Sequence, residues 1–254
     1  MTVRLPGEQS APERGRLLVV VAVPAEAEAV LRGLPGSAEP VPLPGGGLHR
    51  TRRADGPEVD VLAAGVGPAA AAAGASAALA AHRYDAVVSA GIAGGFAPRA
   101  PIGATVLAGA IVAADLGAET PDGFADVTEL GFGTVRHTPP PTAVALAAGA
   151  LAGRTAGPVV TGTVLTVSTV TGSAERAAAL TARHPGVAAE AMEGFGVAEA
   201  AARHGLPAFE LRTVSNPVGP RDRAAWRIGE ALAALEGAFA ALPCPEFLKE
   251  ARRG

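Results

Sequence analysis

The sequence predicts an α/β protein, and three observations carry that expectation. Short β-branched runs of strand length recur along the chain, among them 17–23 (LLVVVAV), 85–91 (DAVVSAG) and 208–215 (AFELRTVS). Ala-rich stretches of helical length separate them, such as 68–83 (PAAAAAGASAALAAHR). Strand and helix alternate to the end of the chain, the pattern of helices packed on a largely parallel sheet.

Taken in order, 17–23 is a strand that feeds a helix at 24–34 (PAEAEAVLRGL), with Pro24 in the first turn, where its missing N–H is harmless. Residues 35–47 (PGSAEPVPLPGGG) hold too much Pro and Gly for a regular element and read as a loop. HRTRR and EVDVLAAG then read as two strands around ADGP, whose Asp55-Gly56 favours a hairpin turn. A helix from Pro68, a buried strand at 85–91 and a strand region at 103–114 follow. Residues 116–141 are mostly turn formers with Phe124 and Phe132; this length of connector reads as a binding loop or lid. Beyond it lie a helix near 142–152, a strand region PVVTGTVLTV, a helix from Ser173, a helix headed by EAMEGFG, the strand AFELRTVS and a final helix at 223–242. The expected organisation is a leader over 1–15 and a single domain over 16–254.

Composition excludes several classes of function. The chain is 49% hydrophobic, yet no apolar run is long enough to span a bilayer, so a soluble protein with a large core and no membrane partner is expected. Net charge is −3 and the basic residues are scattered arginines with Lys249 the only lysine, which leaves no cationic stripe for nucleic acid. Cys244 is the only cysteine and the N-terminal stretch lacks a secretory apolar region; a cytoplasmic protein without disulfides follows. His49, His82, His137, His184 and His204 show no metal-ligand spacing, so neither a metal nor another cofactor is expected.

Four stretches carry possible chemistry. Residues 65–70 (GVGPAA) fit a dinucleotide fingerprint, but Asp85 precedes its strand, whereas a ribose-binding acid belongs at a strand's C-terminal end. Tight packing of strand against helix is the better account. Residues 90–95 (AGIAGG) end a buried strand, either as a turn that allows close packing or as a surface on which a flat ring or sugar meets backbone. In EAMEGFG, helical spacing groups Glu193 with Val197, Ala200 and Ala201, so it points inward. A buried carboxylate needs a cation or a ligand with donors, such as ribose hydroxyls. Acids in a first helical turn are also favoured by the helix dipole, which accounts equally for Glu190, Glu193, Glu26 and Glu28. Ser215-Asn216-Pro217 closes a strand, as a turn or at a ligand-binding edge.

With these residues together, the chain resembles the nucleoside phosphorylase and nucleosidase superfamily from about Leu17 to Leu242. LLVVVAVPAEAE is similar to that family's first strand and acidic turn, VVSAGIAGGFAP to its base-binding segment, EAMEG to its methionine–glutamate ribose clamp, and LRTVSN to the strand ending in its base-recognition residue. The resemblance implies a three-layer fold, a mixed twisted central sheet flanked by helices, and a homo-oligomer of at least two subunits that share site residues. It implies that Glu26 activates water, that Met192 packs on the sugar and that Glu193 accepts from its 2′ and 3′ hydroxyls. Ala90, Gly91, Ile92, Thr169 and Val170 fall at base-contacting positions. Glu190 matches no catalytic position.

Two departures from the family are informative. Bacterial phosphorylases of the superfamily carry an arginine and a serine where this chain has Ser89 and Ile92, so no cation or hydroxyl pair is expected there for phosphate, and water is the expected nucleophile. Adenine-specific nucleosidases carry aspartate where this chain has Asn216. An asparagine NH₂ donates to purine N7 and to a 6-oxo oxygen, so the expected leaving group is a 6-oxopurine. VPAEAEA and RTVSNPVGPRDR are similar to the nucleosidase branch of an alternative menaquinone pathway, which releases hypoxanthine. That branch's substrate carries a carboxylated aromatic 5′ extension, which should meet Arg221 or Arg223 with Phe side chains of 116–141 nearby. Asp222 is a candidate proton donor. The competing readings are a purine nucleoside phosphorylase, a methylthioadenosine-type nucleosidase and a non-catalytic nucleoside-binding protein.

Overall fold

The computed structural model describes residues 15–52 and 56–253; apart from Gly15, the expected leader lies outside them, as does Asp55 of the expected hairpin turn. The first strand, β1 (Arg16–Val21), is buried from Leu17 onward, as a strand covered on both faces must be. It feeds α1 (Pro24–Gly33). The segment read as a loop instead contains β2 (Ser37–Val41), which pairs only with β3 (Leu48–Arg52). An edge strand tolerates Pro40 because one of its sides is unpaired.

Next come β4 (Glu58–Ala63), α2 (Pro68–Ala81) and β5 (Ala86–Gly95). The glycine segment is therefore strand, where a break was expected after Gly91. Adding a Cβ to Gly95 would bring it to 2.1 Å from the Ala100 carbonyl oxygen, so only glycine lets the strand run on. After β6 (Thr105–Ala113), residues 116–141 form a separate hairpin of β7 (Gly117–Thr120) and β8 (Gly123–Asp126), then β9 (Arg136–His137) against β6.

The chain continues through α3 (Pro141–Leu151), β10 (Val159–Thr166) and α4 (Ala174–Arg183), whose N-cap Ser173 accepts from the Arg176 N–H. EAMEGFG is divided between a strand and the head of a helix. Glu190 belongs to β11 (Val187–Ala191), and Glu193 is the N-cap of α5 (Gly194–Arg203). The alternation of VAAEA is masked because alanine fits strand and helix alike. Then comes β12 (Ala208–Pro217); the expected last helix at 223–242 divides into a helical turn at Arg223–Ala225 and α6 (Ile228–Ala241), and a further helix that was not expected, α7 (Cys244–Ala251), follows.

Among the described residues the main sheet runs β11-β10-β6-β12-β5-β1-β4-β3-β2, and β11 also pairs with the end of β5. That pairing closes β5, β12, β6, β10 and β11 into a ring. The mixed sheet between helices is the expected architecture. One face packs on α1, α3, α6 and α7 through Val30, Leu151, Leu235 and Phe239; the other packs on α2 and α5 through Ala71, Ala75, Val197 and Ala201. Small residues bring these last two helices close. A Cβ on Gly196 would lie 2.1 Å from the Pro68 carbonyl oxygen.

Candidate active site

The C-terminal ends of β1, β5, β11 and β12 converge on a cavity of about 430 Å³, at the edge where open α/β sheets bind ligands. Glu26, Ile92, Val170, Met192, Glu193 and Asn216 of the expected site line it. Ala90, Gly91 and Thr169 do not. Ala90 is wholly buried in the core beside Val19 and Leu211. Gly91 matters through what it lacks, since a Cβ there would lie 2.5 Å from a Glu26 oxygen. Thr169 is exposed, and its carbonyl accepts from Arg176 Nη2 at 3.4 Å. No residue of 116–141 reaches the wall, so that segment is not a lid on this cavity within the chain.

Glu26 is 3% exposed, and three backbone N–H groups hold its carboxylate: Ala22 at 2.9 Å and Val23 at 3.2 Å on Oε2, Ile92 at 2.9 Å on Oε1. A carboxylate has about four acceptor sites, so roughly one is left to face the cavity. Glu193, 5% exposed, accepts from Gly67 N–H at 3.2 Å through Oε1 and from Met192 N–H at 3.3 Å through Oε2. Oε1 keeps a free acceptor site, whereas Oε2 also faces the Arg212 guanidinium at 3.2 Å. In the GVGPAA loop the Gly67 amide is already engaged by the Glu193 carboxylate, and Val66 lines the cavity.

Below the wall lies a charged cluster that the sequence reading missed. Arg212, 0% exposed, donates from Nε to Glu210 at 2.9 Å and from Nη2 to Ser89 Oγ at 3.0 Å, and its Nη1 lies 3.2 Å from Glu193 Oε2. Burial opposes the guanidinium's charge, but Glu210, Glu193 and Glu26 outweigh it and hold its pKa above the usual value. Burial pushes the Glu210 carboxyl up, against the pull of Arg212. A signal was available: Glu210 and Arg212 stand two apart in an apolar strand, hence on one face. A cation therefore does lie near Ser89, contrary to expectation. It is wholly buried, though, and three carboxylates surround it.

Asn216 sits where the register of β12 slips against β5, a bulge of the kind that re-aims side chains beside active sites. Its Oδ1 accepts from Ser215 Oγ at 2.8 Å, and its Nδ2 donates to the Pro217 carbonyl at 3.0 Å. One N–H remains for a ligand, where two were expected. Arg221 and Trp226 face the cavity, with the guanidinium 5.5 Å from the ring centroid; Arg223 is off the wall. Asp222 lines it too, while its carboxylate accepts from Ala224 N–H at 3.1 Å.

A family model described as the phosphorylase superfamily matches residues 16–244. The chain belongs to that superfamily. Among similar members is the futalosine hydrolase of Streptomyces coelicolor, 62% identical over 231 residues, which are 89% of this chain and 94% of that protein. The futalosine hydrolase of Acidothermus cellulolyticus is 49% identical over 89% of each chain. The fold is shared with a solved methylthioadenosine/S-adenosylhomocysteine nucleosidase from Neisseria meningitidis (TM-score 0.77, 20% identity, 89% of this chain and 97% of that one). It is shared also with the futalosine hydrolase of Helicobacter pylori (TM-score 0.75, 19% identity, 93% and 96%).

Proposed function

We propose that this superfamily member hydrolyses the N-glycosidic bond of futalosine, giving hypoxanthine and dehypoxanthine futalosine in menaquinone biosynthesis. The observation that carries the reading is one cavity faced by Glu26 and Glu193, each held by backbone amides, with Asn216 where an acid would suit a 6-aminopurine. The futalosine hydrolase relatives support the same substrate.

Glu26 orients and deprotonates a water at the anomeric carbon. The C–N bond breaks through an oxocarbenium-like state, its electron pair passes to the purine, and the departing base takes up a proton from solvent to give hypoxanthine. Glu193 accepts from the ribose hydroxyls and Met192 packs on the sugar. The remaining N–H of Asn216 stabilises charge growing on the base, since an amide gives up no proton. Phosphate would add negative charge beside three carboxylates that share one buried guanidinium, which favours water over phosphorolysis. On the 5′ side, Arg221 beside Trp226 suits a carboxylated aromatic extension.

We place the enzyme in the cytoplasm as a homo-oligomer. Supporting this are the lone free Cys244 and the exposed rings and aliphatics of Leu116, Leu130 and Phe132, the last 82% exposed. The test is incubation of the purified protein with futalosine, inosine and methylthioadenosine, each with and without phosphate, with products identified by mass. Phosphate-independent release of hypoxanthine from futalosine is the expected result. A sugar phosphate would mean phosphorolysis, and binding without turnover of any substrate would mean a binding protein.

A further inference from the structure

Glu190 is a third buried carboxylate on the cavity wall, and the mechanism does not use it. It is 6% exposed, and its hydrogen bonds among the described residues come from one threonine: the Thr171 N–H at 2.7 Å to Oε1 and the Thr171 hydroxyl to Oε2. Two of about four acceptor sites are thus filled, one on each oxygen. A buried carboxylate with open acceptor sites and no neighbouring cation is costly unless a donor arrives from elsewhere. Here the open space beside it is the ligand cavity.

The strand register says which part of a ligand would supply that donor. Gly94 pairs with Glu190 of β11 on one side and with Asn216 of β12 on the other. Glu190 and Asn216 therefore share one row of the sheet, with backbones about 10 Å apart, twice the usual strand spacing. Ile92, whose amide holds Glu26, lies two residues back along β5, about 7 Å away. The row of Ile92 is the sugar end, and that of Gly94 is the base end. Gly94 carries no side chain between the two polar groups, and a Cβ there would already lie 3.4 Å from Asn216 Nδ2.

Resting on the nucleoside reading of this cavity, we infer that Glu190 is a specificity-determining residue that accepts a hydrogen bond from the N1–H of a 6-oxopurine. In its lactam form such a base carries an N–H at N1 next to the 6-oxo oxygen, whereas a 6-aminopurine has a bare acceptor nitrogen there. An ionised carboxylate accepts and cannot donate, so Glu190 complements the first and repels the second. Asn216 then needs only its single available N–H, directed to O6 or N7. Thr171 is the positioning residue: its two bonds fix the Glu190 rotamer and tie the 168–171 loop to the base end of the wall.

The experiment measures binding of the free bases hypoxanthine, 1-methylhypoxanthine and adenine to the wild type and to Glu190→Gln, with futalosine turnover followed in parallel. The wild type should bind hypoxanthine at least about tenfold more tightly than 1-methylhypoxanthine, the size of a hydrogen bond to a charged group. In Glu190→Gln, whose amide can donate to a bare N1, the preference for hypoxanthine over adenine should fall by about tenfold or more. Equal binding of hypoxanthine and its 1-methyl derivative by the wild type overturns the inference without any variant. So does a uniform loss of all three bases in Glu190→Gln, the mark of a purely structural role. Futalosine hydrolysis with unchanged base preferences sinks this inference alone; absence of hydrolysis with the base preferences intact sinks the proposed reaction alone.

Discussion

Glu26 is held by the fold in a way that suits the base proposed for it. Three backbone amides orient its carboxylate, and glutamine would keep the shape while presenting an N–H₂ to one of those donors. Glu26→Gln should lower kcat by about 10² to 10⁴-fold, the worth of a general base, with substrate binding retained. Full turnover in that variant would remove Glu26 from the mechanism. Asn216→Asp tests base recognition at the same scale. An aspartic acid can donate to N7 and accept from a 6-amino group, so the ratio of kcat/KM for adenosine-type over inosine-type nucleosides should rise at least about tenfold. An unchanged ratio would show that Asn216 does not read the base.

Among the elements, β5 and the pair α2 and α5 are built on missing side chains. The end of β5 pairs with β11 and β12 at once, and its glycines leave room for Glu26, Asn216 and the Ala100 carbonyl. Gly196 does the same for the helix pair, because its Cα faces the Pro68 carbonyl. Gly196→Ala would improve intrinsic helix propensity, yet should destabilise the protein by roughly 1–3 kcal/mol through overpacking, read as a lower denaturation midpoint. A raised midpoint would mean that the two helices are free to move apart. The movement would also displace Gly67, the donor to Glu193, so activity should fall together with stability.

For the molecule as a whole, the charged residues of the interior form two groups, those of the site and the Arg50–Asp60 pair with the Tyr84 hydroxyl donating to Asp60, and the rest of the core is largely apolar. Cys244 illustrates the second part: burial in the core at the start of α7 pushes its thiol up to about 11. A thiol reagent at pH 8 should therefore leave the native protein unlabelled and modify Cys244 only after unfolding, since the thiolate is the reactive form. Rapid labelling of native protein would show that α7 opens on its own.

How much of this was legible beforehand follows from what each signal depends on. The buried strands Leu17–Val21 and Phe209–Ser215 were visible because β-branched and apolar runs of strand length have one stable use. Met192, Glu193 and Asn216 were legible as motifs because their order along the chain is distinctive, and all three line the cavity. The strand Val187–Ala191 was not, because alanine satisfies either period and the assignment rests on partners in β10 and β5. Arg212 under Glu193, Gly67 on its carboxylate and Thr171 on Glu190 join residues 19 to 126 positions apart. The sequence by itself determined the α/β class, the order of most elements and several of the residues that line the cavity, since these follow from local periodicity and short motifs. Only the tertiary structure decided which carboxylates are held by amides, which is balanced by a cation and which keeps open acceptor sites, because hydrogen bonds and burial depend on partners that the fold alone brings together.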